Sequence, residues 1–308
     1  MNRALNWVAA SVAFVAVLSG CGTGPGAGQA DLGERNLIVT TSTIVEDIVQ
    51  NIVGDGVEVL SVIPNGFDSH TYEPKPSEIE LLAEADLIVM ADKNLNQKIT
   101  QLAELSGKKE RILDLNEASL AVEDFIIKPT SSRANPHTWT DPNLVAKWVP
   151  VLLGELVVRG LATEGEAGVN AKNYLEELAE LDAAIAAKFS STGADQRRLV
   201  VYHDAWEYFA RRYGFELVGV LQAVDFAEPS AAEIAELSAQ IKELKVPAFF
   251  GSEVFPSDVL EVLERESGAT YISDLADDKL PGQPGEEGYG YIPLMRQNLE
   301  LLAQGLLR

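Results

Sequence analysis

Leu199-Val200-Val201-Tyr202-His203 is a β-branched, apolar run that stops at a histidine, and Asp204-Ala205-Trp206 hands it to a helical pattern ending near Gly214. A short strand followed at once by an amphipathic helix opens a βαβ unit. The same script occurs earlier, where Leu37-Ile38-Val39-Thr40-Thr41 leads into a helical pattern that ends near Gly54. A second strand-like run follows each, Val57 to Ile63 and Phe215 to Val220. The third units also correspond. Glu73-Pro74-Lys75-Pro76-Ser77-Glu78-Ile79-Glu80 parallels Glu228-Pro229-Ser230-Ala231-Ala232-Glu233-Ile234, each with a serine and a glutamate three residues on. That spacing predicts a capping box at the start of a helix. Buried-type runs come next, Ala85 to Met90 and Val246 to Phe250, and then Arg111 to Leu115 and Tyr271 to Leu275. Strands alternating with helices make parallel sheets. The fold class is therefore α/β, with two four-stranded parallel α/β lobes joined by a long rigid helix.

The joining segment lies between the duplicated halves. Asp141-Pro142 is an N-cap with proline in the first turn, and the helix it starts reaches about Leu161 with Pro150 as a kink point. A second helix from about Glu164 to Phe189 is rich in Ala, Glu and Leu. At 1.5 Å per residue it spans about 39 Å, enough to brace both lobes. The expected division is a first lobe over 37–160, a connecting helix over 161–190 and a second lobe over 196–308.

Ligands of open parallel sheets bind beyond the carboxyl ends of the strands. The chain has only three histidines, and all fall on that edge. His70 follows the second strand, His137 follows the fourth, and His203 ends the first strand of the second lobe. Asp274 ends the last strand. Two residues from each lobe would meet across one cleft, and imidazole nitrogen is the commonest ligand for borderline transition metals. Asp68, Asp204 and Glu253 are candidates for orienting the imidazoles, although Asp68 and Glu253 read better as turn or capping residues. Asp114 stands at the duplicate position of Asp274 and is expected to be structural.

The amino terminus points to a compartment. Met1-Asn2-Arg3 is a short basic start, and Trp7 to Leu18 is apolar but too short to span a bilayer. Leu18-Ser19-Gly20-Cys21 then presents the only cysteine, in the arrangement of a bacterial lipobox. The expected organisation is a signal peptide over 1–20, lipidation at Cys21, and a Gly- and Ala-rich tether over 21–36. With its one cysteine used there, the chain forms no disulfide and is stabilised by its core. The net charge of −23 argues against nucleic acid as a partner and leaves no basic patch for anionic lipid.

Taken together, Asp-Ser-His-Thr-Tyr-Glu-Pro at 68–74, Asn-Pro-His-Thr-Trp at 135–139, His-Asp-Ala-Trp-Glu-Tyr-Phe at 203–209 and Ser-Asp-Leu at 273–275 resemble a known family. It is that of the metal-binding lipoproteins of ATP-driven zinc and manganese importers, the cluster A-I solute-binding proteins. The resemblance runs from about Leu37 to the C-terminus. It implies two four-stranded lobes on one rigid helix, with metal held between them by His70, His137, His203 and Asp274. It further implies an ABC transporter permease and its ATPase as partners, and a lipid-anchored protein at the extracytoplasmic face of the membrane, here expected to be a monomer. Two departures stand out. Asn135 replaces the usual acidic residue before Pro136, and Gly288 to Arg296 lacks the Asp-Thr/Ser-Tyr pattern of many relatives.

Three imidazoles and one carboxylate suit tetrahedral Zn2+. Manganese prefers harder, carboxylate-rich shells, and manganese-type relatives often carry Glu at the place of His203, so Mn2+ is the alternative. Against zinc, Val122 to Ala134 lacks the histidine-rich loop of many zinc-type relatives. A secreted zinc-dependent hydrolase is the enzyme alternative, but no His-Glu-x-x-His occurs and a fourth protein ligand would close the open position that catalysis needs. No Gly-x-Ser-x-Gly is present for a serine hydrolase. A binding protein for a non-metal solute would not need three histidines at its cleft. The expectation is a metal carrier and not an enzyme.

Overall fold

The computed structural model of the chain describes residues 36–107, 109–128, 133–222, 229–252 and 258–307. In the first lobe β1 (Leu37–Thr40), α1 (Thr43–Val53), β2 (Glu58–Ser61), α2 (Pro76–Glu84), β3 (Leu87–Met90), α3 (Gln97–Leu105) and β4 (Ile112–Asp114) alternate, and a short α4 (Leu115–Ser119) follows. Two connecting helices, α5 (Pro142–Val158) and α6 (Glu164–Lys188), come next. The second lobe repeats the pattern with β5 (Arg198–His203), α7 (Glu207–Tyr213), β6 (Glu216–Gln222), α8 (Ala231–Leu244), β7 (Ala248–Phe250), α9 (Asp258–Ser267) and β8 (Thr270–Ile272). A final helix, α10 (Tyr291–Leu306), stands outside the duplicated script.

Each lobe is built on a four-stranded parallel sheet, ordered β2-β1-β3-β4 in one and β6-β5-β7-β8 in the other. The inner strands show why continuous apolar runs were required. Ile38 of β1 faces the core shared with α1 and α6, while Leu37 and Val39 face a second cluster with Leu82 and Ile99. Leu199 and Val201 of β5 face the same shared core, while Val200 and Tyr202 face a third cluster with Leu237 and Ile241. Both faces of both sheets are covered, as parallel sheets demand.

The shared cluster does not stop between the lobes. Trp148 of α5, Leu181 and Ile185 of α6, Phe209 of α7, and Leu302 of α10 all belong to it. Its members on α6 recur as Ala171, Tyr174, Leu178, Leu181 and Ile185, three or four residues apart, so one helix face lies in apolar contact along most of its length. Twenty-five residues make this helix about 38 Å long.

Local chemistry sets the helix starts. The Asp141 carboxylate accepts from Asn143 N at 2.9 Å and begins α5, which continues through Pro150 as one span. Ser230 and Glu233 form the expected box, with Ser230 N donating to Glu233 Oε2 at 2.7 Å. The first-lobe counterpart differs. There Lys75 N donates to Glu78 Oε2 at 2.6 Å, so the cap of α2 falls on Lys75, two residues before the expected Ser77, because Pro76 occupies the first helical position.

Among the described residues no helix is long and apolar enough to cross a membrane. The expected signal peptide, lipobox and Cys21 lie outside the described residues, as does Glu253.

Candidate metal centre

The three histidines come together. His70 Nε2 lies 2.9 Å from His137 Nε2, and His203 Nε2 lies 3.1 Å from the same atom. The three ring centroids are 4.9–5.2 Å apart. Two atoms bound to one ion through bonds of about 2.0–2.1 Å can be no more than about 4.2 Å apart, and at a tetrahedral centre they are about 3.3 Å apart. The nitrogens therefore fit around a common cation. A cavity of about 610 Å³, walled in part by Asn96, Lys128 and Arg133, opens onto all three rings.

Each histidine is fixed by the turn that carries it. His70 N donates to Asp68 Oδ1 at 2.9 Å, and Asn96 Nδ2 donates to the carbonyls of Ser69 and Tyr72 on either side. Asp68 thus serves the turn. His137 precedes a single 3-10 turn, Thr138–Thr140, and Thr140 Oγ1 donates to the His137 carbonyl at 3.0 Å. His203 is the last residue of β5, facing Gln222 of β6 in the sheet register.

Asn135 determines the state of His137. Its Nδ2 donates to Asp204 O at 2.8 Å and to Glu207 Oε2 at 3.0 Å, so its Oδ1 must face donors. That oxygen lies 2.7 Å from His137 Nδ1 and also accepts from His137 N. The proton of the neutral ring therefore sits on Nδ1, and Nε2 turns a lone pair toward the other two rings. The Asp204 side chain, a candidate orienter, pairs instead with Lys128, which also reaches Glu207 at 3.2 Å.

Burial keeps the imidazoles neutral. It pushes the His70 pKa down to about 4 against the opposing pull of Asp68, and that of His203 down to about 3, where the neighbouring His70 ring and the Lys128 ammonium also disfavour a second positive charge. His137 is held well below the ordinary value by burial and by the neighbouring histidines. Neutral imidazole is the form that ligates.

The aspartate expected beside them lies elsewhere. Asp274 is exposed, has a left-handed φ of 65°, and takes the Ser273 hydroxyl on Oδ2 at 2.7 Å. A carboxylate does stand beside His203, that of Asp277, fully buried, with Oδ2 3.7 Å from His203 Nε2. Backbone pairing explains the offset. Gly251 N donates to Ile272 O and Leu275 N donates to Gly251 O, so the chain stays on the sheet edge through Leu275 and turns inward only afterwards. Ser273-Asp274 and Asp277-Asp278 share one short loop, and side-chain direction, which no spacing rule supplies there, separates them. Asp114 caps α4 by accepting from Glu117 N, and accepts from Lys93 N with its other oxygen, both at 2.9 Å. Both its oxygens are thus taken up by backbone amides.

Residues 38–305 match the family model described as ZnuA, the periplasmic component A of a zinc-uptake complex. The chain is 29% identical over 290 residues to the manganese-binding lipoprotein MntA of Halalkalibacterium halodurans, covering 94% of each. It is 27% identical over 302 residues to the high-affinity zinc uptake system protein ZnuA of Bacillus subtilis, again covering 94% of each. The periplasmic zinc binding protein TroA of Treponema pallidum superposes with a TM-score of 0.82 at 28% identity, over 89% of this chain and all of that one. The chain belongs to the ZnuA family, the metal-binding solute-binding lipoproteins of zinc and manganese ABC importers, and is a binding protein, not an enzyme.

Proposed function

We propose that this protein captures a divalent transition metal between its lobes, zinc in preference to manganese, and delivers it to the permease of an ABC importer. His70, His137 and His203 supply three neutral imidazoles and Asp277 supplies the carboxylate. The observation that carries this reading is the convergence of three Nε2 atoms, on buried His137 and His203 and half-buried His70, with that of His137 left as a lone pair by Asn135. An N3O donor set favours zinc, since manganese is better served by harder oxygen shells. Relatives named for zinc and for manganese are about equally similar to this chain, so the preference rests on the donor set.

The Leu18-Ser19-Gly20-Cys21 motif and the lipoprotein names of relatives support lipidation at Cys21 after removal of residues 1–20. Residues 21–36 then tether a monomeric metal-binding body, 37–308, to the extracytoplasmic face of the membrane, within reach of a permease and its ATPase.

Native mass spectrometry of the soluble chain with zinc and manganese in competition tests the proposal. Zinc bound in preference, and lost from His137→Ala, is the expected result. A chain that takes up neither metal refutes it.

A further inference from the structure

Five residues, Ala276 to Leu280, carry Asp277, and two asparagine side chains hold them at either end. Asn298 of α10 accepts from Ala276 N at 3.0 Å and donates to Ala276 O at 2.7 Å. Asn65, in the loop after β2 of the other lobe, accepts from Leu280 N at 2.7 Å and donates to Leu280 O at 2.9 Å. Between these clamps, Asp278 Oδ2 accepts from Ser69 N at 3.1 Å and from Ser69 Oγ at 3.0 Å. Trp139 Nε1 donates to the carbonyl of Asp277 itself at 2.9 Å.

Of these four anchors, only Asn298 belongs to the lobe that contains the loop. The other three lie in or just after the first lobe, beside His70 and His137. Covalently the loop is an extension of β8, but most of its side-chain hydrogen bonds are made across the cleft. Ser69, Asp278, Trp139, Asn298 and Leu280 are all buried, so water does not readily replace these bonds.

We propose that Asn65, acting with Ser69 and Asp278, is a positioning residue that holds Asp277 toward the histidines, so that the first lobe's hold on this loop sets the lifetime of bound metal. This rests on the assignment of Asp277 as a ligand. The histidines sit on a strand end and two tight turns, whereas Asp277 sits on an irregular loop that these hydrogen bonds, together with the packing of Ala276 and Leu280, hold in place. Without the clamp, the carboxylate must be ordered at each binding event and leaves first at each release. Asn65 suits the task because one planar amide satisfies both backbone groups of Leu280 at once.

The test is zinc release from the loaded soluble chain into excess chromophoric chelator, followed by stopped flow. Asn65→Ala and Asp278→Ala are each expected to speed release by about ten-fold or more, the scale of lost outer-shell partners. Asp277→Ala should also speed release, and Asn65→Ala should add little in the Asp277→Ala background. Unchanged release from both Asn65→Ala and Asp278→Ala, with Asp277→Ala fast, overturns the proposal while sparing the ligand assignment. An Asn65→Ala effect that persists in full without Asp277 reveals a merely structural role and also overturns it. Release from Asp277→Ala at the wild-type rate removes the ligand assignment and the proposal together. Asp278→Ala keeps the test open should Asn65→Ala fail to fold.

Discussion

The side-chain oxygen of Asn135 lies 2.7 Å from His137 Nδ1, and its amide nitrogen is committed to Asp204 O and Glu207 Oε2. An asparagine in place of the family's usual acid therefore still fixes the tautomer, as a neutral acceptor. Replacing it by leucine removes that acceptor while keeping the branched shape of the side chain. Asn135→Leu is expected to weaken zinc binding by about 10–100-fold, measured by competition with a chelator of known affinity. Unaltered affinity would mean that the Nδ1 contact does not orient the ligand.

The two aspartates of the β8 loop separate cleanly. Asp277→Asn should lower metal affinity sharply, and Asp274→Asn should leave it close to wild type, since Asp274 is exposed and bonded to Ser273. Side-by-side calorimetric titrations decide between them. The reverse ranking would restore Asp274 as the fourth ligand.

Proton uptake follows from burial. The folded pKa is lowered to about 4 for His70 and about 3 for His203, from an ordinary value of 6.5. Below pH 6.5 the unfolded chain thus binds protons that the folded chain refuses. The stabilisation from each neutral ring is complete above that value and is lost as pH falls toward the folded pKa. At pH 7 an arriving metal displaces no imidazole proton. Zinc titrations at pH 7 should give the same heat in buffers of different ionisation enthalpy, and affinity should hold to about pH 5 before it falls. Two or three protons released per metal at pH 7 would contradict the buried, neutral site.

Asp114 should matter for stability alone. Asp114→Ala removes the cap of α4 and is expected to cost about 0.5–2 kcal/mol in urea unfolding, with metal affinity unchanged. A comparable loss of affinity would give it a place at the site.

The continuous core makes α6 a shared element. Leu181→Ala, at a fully buried position, should cost about 2–5 kcal/mol and lower the stability of both lobes in a single transition. Two separated unfolding transitions would show that the lobes are independent.

Much of this was legible in the residues themselves. Short continuous apolar runs alternating with period-3.6 patterns, repeated in order, announced two parallel sheets, and the three histidines, one ending a strand and two in loops that follow strands, lay on the edge where such sheets bind ligands. The Ser230–Glu233 box was readable because it depends on residues three apart. The Ser77 cap failed because Pro76 competes for the same turn. The aspartate that lies beside His203 was not legible, for a different reason. Asp274 and Asp277 are near-equivalent in composition and spacing, and what separates them is backbone pairing of Leu275 with Gly251, a contact between segments more than twenty residues apart.

The order of elements, the duplication, the binding edge and the chemical type of the site were determined by sequence alone, because strand and helix periodicity and imidazole chemistry are local properties. Tertiary structure alone decided which nitrogen of His137 carries its proton, which aspartate faces the histidines, and which lobe grips the loop that bears it. Each of those depends on hydrogen bonds between residues distant in the chain, and their geometry exists only once both lobes have closed on a common core.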